Sequence, residues 1–317
     1  MRFTESIYVR SWYRQLWALA VVTALTCSLH ALAADFPTKE KEKSGGAGSD
    51  VSWEVNAEYT YTAGSQTHRS PRDFGNITEH YGSAECVASI HLTEGMILRA
   101  GASMERFAYG LPNGAIPLPD SFQSVDAVIG MDIDLTEEWI MRAEIRPGIY
   151  SDFTDMSYDD FNMPFVLGGS WLVNKDLQWF VGFSVNLRSE YPFMPGAGVR
   201  WKYADRWTLN FQLPKPRLEY KVNENLTAYL GGEIKSGTFK VADKFGDQHG
   251  LHKLNHASLD LYEVFAGPGV LWEVRPGVEL RASGGCMLYR EYNYHSQDVI
   301  LRGRPAPYGQ LTFRASF

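Results

Sequence analysis

The sequence predicts an all-β protein: a transmembrane antiparallel up-and-down β-barrel of about fourteen strands, with twelve as the alternative count. Three observations lead there. Val51 to Ala63 alternates without error, with Val51, Trp53, Val55, Ala57, Tyr59 and Tyr61 on one face and Ser52, Glu54, Asn56, Glu58, Thr60 and Thr62 on the other. Period-two alternation is the pattern of a strand with one apolar and one wet side. Six three-residue turns share one layout, an apolar residue on each side of a polar or turn-forming triplet: Leu92 to Met96, Leu135 to Trp139, Val173 to Leu177, Tyr203 to Trp207, Val222 to Leu226 and Val274 to Val278. Such connections are hairpin chemistry. Between them run longer, mostly polar connections, and short turns on one rim with long loops on the other is the asymmetry of membrane barrels.

The strands follow in order: 51–63, 83–92, 96–107, 123–135, 139–150, 161–173, 177–187, 196–203, 207–213, 217–222, 226–235, 257–274, 278–289 and 306–317. An even count returns both ends to one side of the membrane. Most runs reach the roughly nine to eleven residues of a tilted spanning strand. The pair 207–213 and 217–222 is short, and reading it as a fold-back gives the alternative of twelve. The connections are expected at 64–82, 108–122, 151–160, 188–195, 214–216, 236–256 and 290–305.

The N-terminus has the layout of a secretory signal peptide. Arg2, Arg10 and Arg14 precede an apolar run from Leu16 to Leu29, and Ala31-Leu32-Ala33 supplies a small-x-small cleavage site. The run of about fourteen apolar residues falls short of the roughly twenty of a spanning helix. Leu25-Thr26-Cys27 is a poor lipidation site. The domain plan is thus a signal peptide at 1–33, a flexible periplasmic linker at 34–50 and the barrel at 51–317. The linker is too short and polar to act as a plug domain.

Composition excludes some functions. A net charge of −7 argues against nucleic acid as a partner. A 14% aromatic content with 29 glycines suits β structure. Cys86 and Cys286 fall in apolar phases of separate strands, which predicts two buried free thiols. No P-loop, GxGxxG or CxxC signature is present, so no cofactor and no resident metal are expected. The acidic loop Ser151 to Asp160 holds Asp152, Asp155, Asp159 and Asp160, enough oxygen atoms for a surface calcium ion, but its spacing is not that of an EF-hand. An ordinary solvated loop is the simpler reading.

With the apolar phase turned to lipid, the other phase lines the lumen. Its candidates are Glu58, Arg99, Asp126, Asp132, Arg142, Glu144, Arg146, Arg200, Lys202, Arg281 and Arg314, a set of mixed sign. Mirroring the hairpin about Glu137 places Asp132 opposite Arg142. Asp132→Ala is expected to leave folding largely intact and to change ion selectivity. Trp139, Trp171, Trp179, Trp201, Tyr203, Trp207 and Trp272 all lie within a few residues of a short turn, the placement expected of a periplasmic aromatic girdle. Fourteen strands about 4.8 Å apart and tilted near 40° make a cylinder roughly 28 Å across, which water, loops or a plug must fill.

The last eleven residues, Pro307 to Phe317 (PYGQLTFRASF), alternate from Leu311 and end on an aromatic. Phe313 and Phe317 resemble the C-terminal signature of bacterial outer-membrane barrels. That resemblance implies residence in the outer membrane of a Gram-negative-type bacterium, with outer-membrane lipid and the barrel-assembly machinery as partners. The segment Arg142 to Asp152 (RAEIRPGIYSD), with Leu111 to Phe122 (LPNGAIPLPDSF) and Leu213 to Tyr220 (LPKPRLEY), resembles an uncharacterised bacterial outer-membrane family known as a domain of unknown function. The likeness covers nearly the whole mature chain and implies no catalytic residues. In strand count the chain is also similar to monomeric fourteen-stranded porins, a likeness of fold only.

These features lead to the expectation of a non-enzymatic, porin-like channel for passive passage of small polar solutes. Two alternatives stand beside it. One is a closed structural or adhesive barrel acting through its outer loops. The other is a lipid hydrolase using His256 and Ser258, since His256-Ala257-Ser258 is similar to the His-x-Ser of lipid A deacylases; Leu259 stands where that motif has Asn.

Overall fold

The computed structural model describes residues 51–69, 72–112 and 116–317. The predicted signal peptide and linker lie outside the described residues. Within them, strands β1 (Val51–Arg69), β2 (Arg72–Thr93), β3 (Met96–Gly110), β4 (Ser121–Asp134), β5 (Trp139–Ile145), β6 (Gly148–Ser151), β7 (Phe161–Asn162), β8 (Phe165–Asn174) and β9 (Leu177–Val185) are followed by β10 (Phe193–Ala204), β11 (Trp207–Phe211), β12 (Arg217–Lys221), β13 (Leu226–Lys240), β14 (Ser258–Arg275), β15 (Val278–Tyr294), β16 (Val299–Gly303) and β17 (Ala306–Ser316). Three pairs of segments share one rung each, β5 with β6, β7 with β8 and β16 with β17. Each break falls at an X-Pro step: Arg146-Pro147, Met163-Pro164 and Arg304-Pro305. Proline has no N–H for the ladder, so the strand loses its partner there and resumes beyond. The result is a closed antiparallel barrel of fourteen rungs.

Closure is made by the last strand. β17 pairs with β1 from Glu54↔Ser316 to Thr62↔Tyr308 and with β15 on its other edge. At the seam Trp53 N–H donates to Phe317 O (2.7 Å) and Phe317 N–H to Trp53 O (3.0 Å). All six predicted short turns lie on one rim. Gly95 and Gly277 both take φ of +81° there, a conformation that disfavours side-chain-bearing residues. Adjacent turns are stitched together, Asp134 N–H to Gly95 O, Lys202 N–H to Asp176 O and Ser316 N–H to Gly277 O.

The hairpin β1–β2 departs from expectation. Residues 64–82 read as a loop, yet 64–69 and 72–82 continue the two strands. The ladder slips between Thr62 and Ser65 and again between Thr67 and His68. A bulge inserts a residue and exchanges the two faces, so Thr60 and Thr62 are buried inward before it and Ser65 and Thr67 after it. Alternation is lost in the sequence although the strand is not. The same happens on β15, where Met287 and then Arg290, Tyr292 and Tyr294 are buried, with a slip opposite Val264 and Phe265. The expected loops 236–256 and 290–305 are likewise partly strand. The short hairpin β11–β12 belongs to the wall, so the count is fourteen and not twelve.

On the outside, Ile133, Met131, Ile129 and Val125 of β4 face outward beside Leu98, Ala100, Ala102 and Met104 of β3. Above them the outward face turns polar, at His80, Arg106 and Gln123, and across the barrel at the Glu291 to Arg302 pair (2.8 Å). The apolar band on β4 is roughly 20 Å tall after tilt, close to the height of a bilayer core for such barrels. Cys86 lies on this outer surface and is exposed, and Cys286 is half-buried, so neither is the fully buried thiol expected from the sequence. An apolar strand phase that faces lipid looks in sequence like one that faces a protein core.

Neighbouring strands approach closely where β14 meets β15. A Cβ on Gly285 would sit 2.2 Å from Ala266 O and 2.7 Å from Gly267 Cα. Gly285→Val is therefore expected to destabilise the barrel by about 1–3 kcal/mol, read as a lower temperature for the heat-induced shift in gel mobility and a lower urea midpoint.

Candidate functional site

The interior is built in three tiers. At the long-loop end, Ile116 and Leu118 from the 111–120 connection and Val241, Ala242, Phe245, Leu254 and Ala257 from the 241–257 connection pack onto wall side chains. Phe122 stacks on Phe239 with ring centroids 5.1 Å apart, and Tyr109 meets Tyr292 edge-on at 5.5 Å. Tyr294 donates its hydroxyl to Pro117 O at 2.9 Å. This apolar plug lies level with and above the polar outward residues, in the part of the barrel that projects beyond the apolar band. The 241–257 connection is folded on itself by backbone bonds, among them Val241 N–H to Ala257 O (3.0 Å) and His256 N–H to Ala242 O (3.2 Å).

Beneath the plug Arg290 is fully buried, its guanidinium paired with Glu79 (3.1 Å) and Glu263. Next, Lys235 bonds Glu58 and Thr60 (2.7 Å) and sits 3.6 Å from the centre of the Tyr81 ring. Lys215, carried inward on the tip of the β11–β12 hairpin, bridges Glu58 (3.1 Å) and Glu233 (2.9 Å). Gln310 donates to the same two carboxylates at 2.7 and 2.6 Å.

The third tier spans the apolar band. Arg142 holds Asp132 in a two-point pair, both contacts 2.6 Å. Arg146 reaches Glu85 (2.7 Å), Glu144 (2.9 Å) and Asp126 (4.0 Å), and Arg99 lies 3.7 Å from Glu144. Nearer the short-turn rim, Arg314 pairs with Glu54 (2.7 Å) and Arg281 with Glu279. Arg200 is half-buried and Lys202 exposed at that rim. Solvent reaches this level: the side chains of Arg146, Glu85, Arg281 and Glu279 each keep about a fifth of their surface exposed.

The structure changes the expectation for Asp132. Both Asp132 and Arg142 are buried, so removing the carboxylate takes a two-point partner from a guanidinium in the interior. Glu79, Glu263 and Arg290 were not distinguishable in the sequence, because Glu79 and Arg290 fell in the expected loops 64–82 and 290–305 and Glu263 shares the phase of the apolar Leu259 and Leu261. Lys215 lay in a turn, whose inward fold no periodicity reports.

Trp139, Trp171 and Trp179 lie in one row of the ladder, Trp139↔Trp171↔Trp179, with the Trp139 and Trp171 rings stacked at 5.7 Å. Trp201, Tyr203, Trp207 and Trp272 are exposed on the same outer surface near the short turns. Phe313 and Phe317 also face out, Phe317 at 73% exposure.

The two loop candidates have other duties. His256 takes φ of +54° and spends both ring nitrogens on carboxylates, Nδ1 with Asp243 (2.7 Å) and Nε2 with Asp159 (3.1 Å), leaving neither for Ser258. In the acidic loop Asp152 accepts from the N–H groups of Thr154 (3.0 Å) and Ala242 (2.8 Å), and Asp160 accepts from Ser157 N–H (2.9 Å). Burial pushes the Asp152 carboxyl above its ordinary range, opposed by those two N–H groups. Among the described residues no three metal-ligating side chains converge.

A closed antiparallel wall, apolar outside and charged within, defines a β-barrel of the outer-membrane type. A family model described as a domain of unknown function (DUF6268) matches residues 119–300, and the chain belongs to that family. The fold is similar to an outer-membrane channel (COG4313) from Pseudomonas putida F1, at 9% identity over 86% of this chain and 97% of that one, TM-score 0.43. It is also similar to the toluene transporter TodX of Pseudomonas putida (10% identity, 90% and 94% covered, TM-score 0.40). The translocator domain of the autotransporter NalP from Neisseria meningitidis is a further likeness (11%, 87% and 92%, 0.34). No match was found among the curated proteins.

Asp132→Ala is expected to destabilise the barrel by roughly 3–5 kcal/mol by leaving Arg142 buried without its carboxylate. The double change Asp132→Ala with Arg142→Met should recover most of that loss, both read from urea unfolding monitored by gel mobility.

Proposed function

We propose that the protein is an outer-membrane channel for small polar solutes whose axial path is shut by a loop-borne apolar plug. The observation that carries this reading is the division of the interior. At the depth of the apolar band the lumen is charged, of both signs and partly solvated, while above it the 111–120 and 241–257 connections pack apolar side chains onto those of the wall. A hydrated, mixed-charge wall passes polar solutes with weak selectivity, and a dry aromatic core does not. Because the plug sits above the band and is attached to loops, its displacement leaves the wall ladder intact.

The same reading makes residues 1–33 an export signal cleaved near Ala33 and places the barrel in outer-membrane lipid. Trp139, Trp171, Trp179, Trp201, Tyr203, Trp207 and Trp272 then serve as its periplasmic girdle. The C-terminal strand with Phe313 and Phe317 serves as the recognition element for the barrel-assembly machinery. No catalysis is invoked, since His256 of the His256-Ala257-Ser258 motif has its imidazole held by two carboxylates. The buried Arg290, Glu79 and Glu263 cluster favours a second reading, a permanently filled structural barrel acting through its outer loops.

Planar-bilayer recording separates the two. Residues 242–256 are replaced by a short Gly-Ser linker, which the hydrogen bond between Val241 and Ala257 shows to be a short span. The intact protein is expected to be largely silent and the variant to give discrete conductance steps with weak ion selectivity. A variant that folds, shown by heat-modifiable gel mobility, and stays silent establishes the filled structural barrel instead.

A further inference from the structure

One group of charges in the lumen does not balance. Arg290 of β15, Glu79 of β2 and Glu263 of β14 have no exposed surface, and they bring two carboxyls to a single guanidinium. Glu263 is the ladder partner of Arg290 and accepts from its Nε–H. Glu79 reaches the same guanidinium at 3.1 Å from β2, whose own neighbours in the wall are β1 and β3. This second contact is an ion pair without an aligned hydrogen bond. Among the described residues neither oxygen of Glu79, nor the second oxygen of Glu263, accepts one.

The groups packed around the cluster do not restore the balance. Lys235 of β13 acts on Glu79 from further off, but its ammonium bonds Glu58 and Thr60, and with Lys215 it offsets Glu58 and Glu233 two for two. Tyr109 of β3 and Thr62 of β1 are the ladder partners of Glu79, and Tyr292 of β15 follows Arg290 on the same face. Phenols and a hydroxyl are uncharged at neutral pH. A net charge sealed from water is strongly unfavourable, and a carboxyl so placed takes up a proton instead. The geometry supplies a place for it, because the Glu79 and Glu263 carboxyls lie within hydrogen-bonding reach of each other. Two carboxylate oxygens bond only through a proton, which also removes the repulsion between them.

We propose that Glu79 and Glu263 share one bound proton, which makes the Arg290 cluster neutral at the seat of the plug. His80 and Glu291 follow Glu79 and Arg290 in the chain and face outward as polar residues, so the cluster lies above the apolar band. Tyr109 and Tyr292 touch it and also belong to the plug core, where their rings meet edge-on. Release of the proton to solvent leaves a net negative charge directly beneath those rings. The pair thus acts as an alkaline release, holding the interior together in acid and loosening it as pH rises. A permanently filled barrel would hold the same proton, so the test does not depend on the channel reading.

The sign follows from linkage. In the unfolded chain both glutamates are ionised above about pH 5, so folding takes up one proton. The folded-to-unfolded ratio then falls by up to about tenfold per pH unit as pH rises from there, until the folded barrel releases the proton as well.

The test compares the full barrel in phosphatidylcholine vesicles with Glu79→Gln and with Glu263→Gln, by infrared difference spectra at neutral pH in heavy water. Glutamine has the shape of a protonated glutamate and no charge, so each variant leaves one carboxylate to one guanidinium. Other protonated carboxyls cancel in the difference. The expected result is that the wild-type protein shows the carbonyl stretch of one protonated carboxyl that both variants lack. Urea unfolding followed by gel mobility gives the second readout. Between about pH 5 and about pH 7 wild-type stability should fall more steeply than that of Glu79→Gln, by up to about tenfold per pH unit in the folded-to-unfolded ratio. One folding variant is enough for either comparison. Acid absorption that is unchanged in the variants overturns the proposal, as does a band that survives in Glu263→Gln, since Glu79 then holds a proton alone. Equal pH slopes overturn it too. So does failure of both variants to fold, because the proposal requires that a neutral side chain be tolerated at either position.

Discussion

In a hydrocarbon solvent every backbone N–H and C=O has to find its partner within the chain, and this demand shapes the whole molecule. It requires a closed wall, which is why the last strand returns to the first and Phe317 bonds Trp53 in both directions. It makes X-Pro steps the natural places for rungs to break.

Closure creates an interior that has to be filled, and the chain fills it differently at different heights. At the depth of the apolar band the filling is ionic: Arg142 with Asp132, and Arg146 among Glu85, Glu144 and Asp126. Taking such charges out of water is expensive unless each is paired in good geometry, and the pairs run between strands, so they also tie the lumen together. Above the band the filling is aromatic and aliphatic and comes from wall strands and connections together. The boundary between the two tiers holds Arg290, Glu79 and Glu263, all fully buried.

These tiers tie function to fold. Rungs in lipid are rigid, because releasing one exposes backbone to hydrocarbon. Loop-borne plug residues sit where water can take over their backbone bonds. The proposed opening, in which the plug moves and the wall stays, draws on that contrast in solvent, with the 241–257 connection and its helix Phe245–Gln248 at the long-loop end.

Much of this was legible in the amino-acid order. The six turns, the fourteen rungs, the Asp132 to Arg142 register and the outward tryptophans each rest on a local pattern, a triplet, a period of two or a mirror about a turn. What escaped was what local pattern does not encode. The bulges at Ser65 and near Met287 reversed the faces and hid real strand inside expected loops. Cys86 was expected to be buried and instead lies exposed on the outer surface, since an apolar phase does not say which medium it meets. Sequence by itself determined which side of each strand is wet, because alternation is a property of neighbours in the chain. Only the tertiary structure decided what the wet sides meet, paired charge or plug, because many of those contacts join residues far apart in the chain, as Lys235 meets Glu58 across 177 positions and Gln310 meets Glu58 across 252, through the curvature of a closed wall.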